Sequence, residues 1–293
     1  MGTERLGNLL VVDCHYICHR AYHTTGKLSH RGQATGVAFG FFRTVQWLTE
    51  EFQASQIAFC FEGNSLLRRK LYPEYKKRNH KDLTDEEKEA RFDLRRQIEC
   101  LQHEHLLNLG FRNIFSFDGF ESDDLMASIA ENAKQFETIY LVTGDYDMFQ
   151  CLRPGVKVYS PHNLRLYTHK WFQKEFGLAP WQWANVKALA GCSSDNVKGL
   201  WRCGEKTAVR ILRKELPKTH SAWLNVNSPE GQEIYRRNMR LVRLPFKGCP
   251  VINQFKSNEI SAKRWTRLCD NLGMVSLSRR QLKLTRPLEL YEL

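Results

Sequence analysis

Four short apolar runs, each closing on polar or acidic residues, constrain this chain most: LLVVD (9–13), IAFCFE (57–62), IYLVTGD (139–145) and VKVYS (156–160). Each has the length of a buried strand. Amphipathic helical patterns stand between them, as in VAFGFFRTVQWLTEEF (37–52) and LMASIAENAKQF (125–136). Strands alternating with helices imply a mostly parallel sheet wound by right-handed crossovers, an α/β doubly wound fold. The segment LTDEEKEARFDLRRQIECLQHEHLL adds a helix whose Thr84 and Glu87 have capping-box spacing. After about Pro180 helical patterns replace strand patterns. We expect a core over 1–180 and a helical region over 181–293, within the one or two domains that 293 residues allow.

In an open parallel sheet the C-terminal ends of the strands share one edge, where ligands bind. Asp13, Glu62 and Asp145 each close a predicted strand, so three separated segments deliver acid to that edge. Asp147 follows Asp145 by two residues, and Glu121, Asp123 and Asp124 in GFESDDLM open a helix whose N-terminus faces the same way. A helix start accounts for one acid as a cap, stabilised by about 0.3 to 1 kcal/mol. Like charges about 4 Å apart cost about 4 kcal/mol per pair at an effective dielectric of about 20. Seven such acids therefore need a cation among them. Oxygen ligands point to a hard ion, Mg2+ or Mn2+, rather than zinc.

Charge supplies the complementary clue. With 44 Lys and Arg against 32 Asp and Glu, the chain carries a net +12, which suits a polyanionic partner. The stretch RRKLYPEYKKRNHK concentrates Arg68, Arg69, Lys70, Lys76, Lys77, Arg78 and Lys81 against Glu74 alone, with Tyr72 and Tyr75 interleaved. Cations beside aromatic rings track and stack single strands. In LAGCSSDNVKGLWRCGEKTAVRIL (189–212), Gly204, Lys206 and Thr207 stand where a helix would begin, with free N–H groups and a cation suited to phosphate. Arg20, Thr35 and Gly36 are further candidate phosphate contacts, whose plainer reading is a surface arginine and a helix start. No apolar run reaches the roughly 18 to 20 residues of a membrane span, and the N-terminus lacks a cleavage-like site, so a soluble, unsecreted protein is expected. The nine cysteines include no CxxC pair, which fits reduced thiols.

Taken in order, VVDCHYICHRAYHT, FEGNSLLRRKLYPEYKKRN, GFESDDLMA, VTGDYDMFQ and LAGCSSDNVKGLWRCGEKTA resemble the successive motifs of the 5′-nuclease, or flap endonuclease, family. That family includes the 5′ to 3′ exonuclease domain of bacterial DNA polymerase I and stand-alone bacteriophage 5′-exonucleases, to which the free-standing length is most similar. The match runs from about Asp13 to Leu212. It implies a doubly wound, PIN-like core, a helical arch over about 65–101, and a helix-three-turn-helix over about 189–212 that grips duplex DNA with K+. By the same resemblance Asp13, Glu62, Glu121, Asp123 and Asp124 belong to the first metal site and its surroundings. Asp145, Asp147, Cys192 and Asp195 belong to the second. Lys76 and Arg68 approach the scissile phosphate, Tyr75 stacks on the terminal base, and Arg69, Lys70, Lys77, Arg78, Arg20, Thr35, Gly36, Arg202, Gly204, Lys206 and Thr207 contact nucleic acid.

The implied activity is two-metal hydrolysis of phosphodiester bonds near 5′ ends, leaving 5′-phosphorylated fragments. Branched, flapped or nicked DNA and RNA–DNA hybrids are the implied partners, met by a monomer in the cytoplasm of a bacterial cell or phage-infected host. Three residues depart from the family pattern. Cys192 stands for Asp, Glu62 stands for Asp, and Arg202 stands for the first glycine of a G-x-G hairpin. Loss of a hard ligand at Cys192 gives an alternative reading, a branched-DNA binder of the same fold with little catalysis. Aspartyl-phosphate phosphatases fit less well, because His15 occupies the place of their second Asp.

Overall fold

A computed structural model describes residues 5–77, 83–282 and 284. The chain opens with β1 (Asn8–Asp13), α1 (Cys14–Thr25), a ribbon of β2 (Ser29–His30) and β3 (Gln33–Ala34), α2 (Gly36–Glu51) and β4 (Ala54–Cys60). Next come α3 (Leu66–Leu71) and α4 (Asp85–Cys100), which passes through a π turn into α5 (Leu106–Leu109), then β5 (Ile114–Phe115), α6 (Ser122–Asn132), β6 (Ile139–Val142), β7 (Val156–Ser160) and β8 (Arg165–Tyr167). After α7 (His169–Phe176) and α8 (Trp183–Ala190), a short hairpin of β9 (Gly191–Cys192) and β10 (Val197–Lys198) leads to α9 (Glu205–Leu212), α10 (Ser221–Asn227), α11 (Pro229–Val242), α12 (Ala262–Asn271) and α13 (Val275–Ser278).

The main sheet has the order β5-β4-β1-β6-β7-β8, parallel except at β8. Successive strand side chains point to opposite faces, and β1 is buried on both. Leu9 and Val11 join Leu125, Ile129 and Leu141 on one face, whereas Leu10 and Val12 join Ile17, Phe41 and Phe59 on the other. Each fully buried side chain of this size contributes about 1.5 to 3 kcal/mol. Strand order reverses across β1, with β4 on one side and β6 on the other, so the crevice outside Asp13 is the switch point of the sheet.

Two predicted strands run too far. β4 stops at Cys60 and β6 at Val142, so Glu62 and Asp145 sit on the turns just beyond rather than on strands. Nor does residue 180 divide the cores. Leu189, Leu200, Val209, Phe246 and Ile252 complete the cluster around Leu9, and Trp265, Leu268 and Leu277 complete the one around Leu10. An extended strap before α12 is fastened to the first half by Ile252 N to Ser128 Oγ (3.1 Å), Lys256 N to Asn113 Oδ1 (2.8 Å) and Glu259 N to the Gly110 carbonyl (2.8 Å). Among the described residues no helix is long and apolar enough to cross a membrane, and the nine cysteines are unpaired.

Candidate active site

Asp13 ends β1 and caps α1. Its Oδ1 accepts from Tyr16 N (3.1 Å) and Ser122 Oγ (3.4 Å), and its Oδ2 from Thr143 Oγ1 (2.8 Å). Burial pushes its carboxyl up to about 6 against the lowering pull of Tyr16 N and Thr143, and Glu62 and Asp145 add to the rise. Asp123, in the first turn of α6, has a carboxylate without a hydrogen-bond partner among the described residues. Burial raises its pKa well above the ordinary range, with Asp145 and Asp13 contributing and Lys76 opposing. Asp145 adds to the rise at both Asp13 and Asp123, so the three carboxylates border one space. Exposed Glu62 borders it, its backbone N–H donating to His15 Nδ1 at 3.1 Å. Burial lowers the His15 pKa by more than Glu62 raises it.

Glu121 faces a second group of acids across Tyr75 and Lys76. The Tyr75 hydroxyl donates to Glu121 Oε2 at 2.9 Å and lies 3.4 Å from Asp195 Oδ2. Lys76 Nζ is 3.0 Å from Glu121 Oε1 and 3.8 Å from Asp195 Oδ1, and its backbone N–H donates to the Asp195 carbonyl at 2.9 Å. Burial works against its charge, but Glu121, Asp195 and Glu62 more than offset it and raise its pKa. Asp145 turns the chain by accepting from Asp147 N at 2.7 Å. Asp147 pairs with Lys187 Nζ at 2.8 Å, and that ammonium is also 2.8 Å from Glu205. Burial and Asp145 push Asp147 up to about 6 despite Lys187. Opposite Asp147, the β9–β10 hairpin presents Cys192 and Asp195, and burial, with Asp195, pushes the Cys192 thiol up to about 11. Asp147, Cys192 and Asp195 offer donor atoms within 4.8 Å of one another, the one such group found among the described residues.

The packing gives several of the expected residues partners within the protein. Asp124 and Arg68, assigned by resemblance to metal and to scissile phosphate, bind each other: Arg68 NH1 and NH2 reach Asp124 Oδ2 and Oδ1 at 2.6 and 2.8 Å. Phe246 N and Glu121 N also donate to Asp124, and Arg68 Nε donates to the Leu241 carbonyl. Both residues are buried, and the Asp124 carboxylate accepts from Arg68, Phe246 N and Glu121 N on its two oxygens. Tyr75 is 3% exposed, which leaves its ring no face for a terminal base. Thr35 is buried too, and a methyl group at Gly36 would lie 2.0 Å from the Thr25 carbonyl oxygen, so this glycine serves the close approach of α1 and α2. The first-turn Val37 N–H of α2 is taken by Gln97 Oε1 at 3.2 Å. Arg20 lines a cleft with Arg43, Trp47 and Tyr159.

Arg69, Lys70 and Lys77 are exposed, as are Arg202, Gly204 and Lys206, with Thr207 half-buried; Arg78 lies outside the described residues. Arg202 has φ +58° and stacks over Trp201 at 4.3 Å. Lys187, Thr143 and Ser122 escaped the sequence reading. A single lysine in a helix, or a hydroxyl after a strand, carries no pattern that separates it from a surface residue.

Acids from separate segments meeting at the carboxyl edge of a parallel sheet, with lysines set among them, define a class, the metal-dependent nucleases. Residues 8–177 match the family model described as 5′-3′ exonuclease, N-terminal resolvase-like domain. The chain belongs to this 5′-3′ exonuclease family. It is 31% identical over 216 residues to the 5′-3′ exonuclease of Bacillus subtilis, covering 70% of each chain. It is also 31% identical over 214 residues to the thermostable DNA polymerase I of Thermus aquaticus, covering 72% of this chain and 24% of the polymerase. Among solved structures, the bacteriophage T5 5′-exonuclease with bound zinc superposes with a TM-score of 0.70 at 25% identity, covering 81% of this chain and 90% of that one. A T5 flap endonuclease complex with DNA and metal ions shares the fold, with a TM-score of 0.69 at 20% identity and coverage of 93% and 100%.

Proposed function

We propose that this chain is a structure-selective 5′-nuclease that hydrolyses phosphodiester bonds near the 5′ ends of flapped, nicked or branched DNA and of RNA–DNA hybrids. The reading rests above all on Asp123, a carboxylate with no hydrogen-bond partner among the described residues, whose proton affinity is raised by burial, Asp145 and Asp13. Oxygen donors desolvated against one another fit a hard divalent cation. Asp13, Asp123, Asp145 and Glu62 would hold Mg2+ or Mn2+. When bound, such an ion lowers the pKa of a coordinated water and neutralises charge on phosphoryl oxygen.

The chain's own groups divide the remaining tasks. Lys76, held between Glu121 and Asp195, would offer its ammonium to the charge that grows on the phosphoryl oxygens. Tyr75, whose hydroxyl donates to Glu121 and lies near Asp195, would keep the two acids in register. Exposed Arg69, Lys70 and Lys77 would track the strand near its 5′ end, while Arg202, Lys206 and the N-terminus of α9 would hold phosphates of the duplex. A potassium ion at the turn before α9, a monomeric state and work in the cytoplasm of a bacterial cell or infected host complete the reading.

Incubation with a labelled 5′-flap duplex and Mg2+ or Mn2+ tests it. Metal-dependent cleavage is expected, and Asp123→Asn should abolish it while preserving the mobility shift. A second reading, binding with little cleavage, draws on Cys192 in place of a hard ligand. A shift without cleavage in either metal would favour that reading.

A further inference from the structure

We propose that the cleft between α3 and the segment after α11 is a docking site for a partner protein, which enters it as an acidic peptide whose carboxylates flank apolar side chains. The cleft has a volume of about 740 Å³. Leu67 and Leu71 of α3 form one wall, and Met239, Leu244 and Pro245 form the other. Lys70, Arg240, Arg243 and Lys247 also line it, against Glu131 as its one acid. None of the crevice acids lines the cleft, so docking there does not depend on the nuclease reading.

The two walls are fixed to each other through the core. Arg68, between Leu67 and Arg69 on α3, donates Nε to the Leu241 carbonyl at 3.0 Å and both terminal nitrogens to Asp124. Asp124 in turn accepts from Phe246 N at 2.8 Å. Gln150 Oε1 accepts from Leu244 N at 3.1 Å, and Gln150 Nε2 donates to the Val242 carbonyl at 2.9 Å. A groove formed in advance gives up less conformational entropy on binding.

Charge selects an anion. Exposed Lys70, Arg240, Arg243 and Lys247 have no ion-pair or side-chain hydrogen-bond partner among the described residues. Helix dipoles account for Lys70 and Arg240, each in the last turn of its helix, but Lys247 lies beyond the end of α11. Four like charges around one cleft raise the potential there and steer a negative partner to it.

The floor then decides which anion. Nucleic-acid bases present flat faces that stack on aromatic rings. The lining here is aliphatic, apart from the Met239 thioether and Phe246, and the Phe246 ring is 7% exposed and covered by the Arg68 guanidinium at 4.7 Å. Aliphatic walls accept the apolar side chains of a peptide, as where a helix lies in a groove, while the cationic rim pairs with its carboxylates. A partner held there stands beside Arg69 and Lys70 on α3, next to the residues assigned to the strand.

Fluorescence anisotropy of a labelled peptide, Asp-Asp-Leu-Asp-Asp-Leu-Phe-Asp, titrated with the full chain at about 0.15 M salt tests the site. Saturable binding is expected. Serine in place of the peptide's Leu and Phe, Leu71→Ser in the protein, and Arg240→Gln with Arg243→Gln should each weaken it about tenfold or more. Labelled oligothymidylate, titrated in parallel, should bind Leu71→Ser as it binds the parent. Absence of saturable binding, or equal affinity for the serine peptide, would overturn the proposal. So would a greater loss for oligothymidylate than for the peptide in the arginine variant, which would make the cleft a nucleic-acid surface.

Discussion

The Arg68–Asp124 pair shows how one contact engages two side chains. A bidentate pair at 2.6 and 2.8 Å, with Asp124 fully buried, is held by backbone donors on one side and the Leu241 carbonyl on the other. Breaking such a pair leaves an uncompensated charge in the core, at a cost of about 3 to 5 kcal/mol. Arg68→Met should therefore destabilise the protein by that amount in chemical denaturation, while the salt dependence of DNA binding stays unchanged. A loss of salt slope with full stability would return Arg68 to the phosphate. Asp13 offers a prediction of pH dependence. Burial raises it from 3.8 to about 6, so the folded state binds a proton that the unfolded chain has already lost in that interval. The stability associated with that proton is complete below about pH 4 and is lost as pH rises through about 6. Without metal, Asp13→Asn should be more stable than the parent at pH 7.5, with the difference shrinking towards pH 5. A pH-independent difference in melting temperature would contradict the shift.

At the scale of elements, the hairpin and turn ahead of α9 carry a departure that was visible in the sequence. Arg202 occupies a left-handed conformation, φ +58°, that costs a side-chain residue about 1 kcal/mol or more relative to glycine. Its guanidinium stacks on exposed Trp201, which places the positive charge at the surface beside the N-terminus of α9. Arg202→Gly should hold or raise stability by up to about 1 kcal/mol, because relief of strain is offset by a freer unfolded chain. Duplex affinity should fall, and the slope of log affinity against log salt should drop by about 1. Equal salt slopes for the two proteins would show that Arg202 touches no phosphate. The capping box of α4 was legible before the fold, since Thr84 and Glu87 sit three residues apart and do bond reciprocally at 3.2 and 2.9 Å. The end of β4 was not, because IAFCFE carries the same apolar pattern through Phe61 while the chain leaves the sheet after Cys60.

For the molecule as a whole, the C-terminal segment closes a core that begins at β1. Trp265 is fully buried against Phe42, and its indole N–H donates to the carbonyls of Leu277 (3.1 Å) and Arg280 (2.9 Å). Trp265→Ala should cost about 3 to 5 kcal/mol. Because α12 shares its cluster with α1, α2 and β4, unfolding followed by far-UV circular dichroism and by tryptophan fluorescence should remain a single transition. Two separated transitions would show that the region after 180 is an independent unit.

Local pattern alone determined that the chain would alternate strand and helix, that acids would stand at or just beyond the strand ends, and that a basic tyrosine-bearing stretch would precede a capped helix. Each of these follows from side-chain periodicity and turn chemistry within a few residues. Only the tertiary structure decided which charges meet. Asp124 found Arg68 across 56 positions of sequence, and Asp147 found Lys187. The same packing set a cysteine sulfur beside two carboxylates. Ion pairs and ligand sets depend on distances of a few ångströms between remote segments, and those distances are set by how the helices pack on the two faces of the sheet.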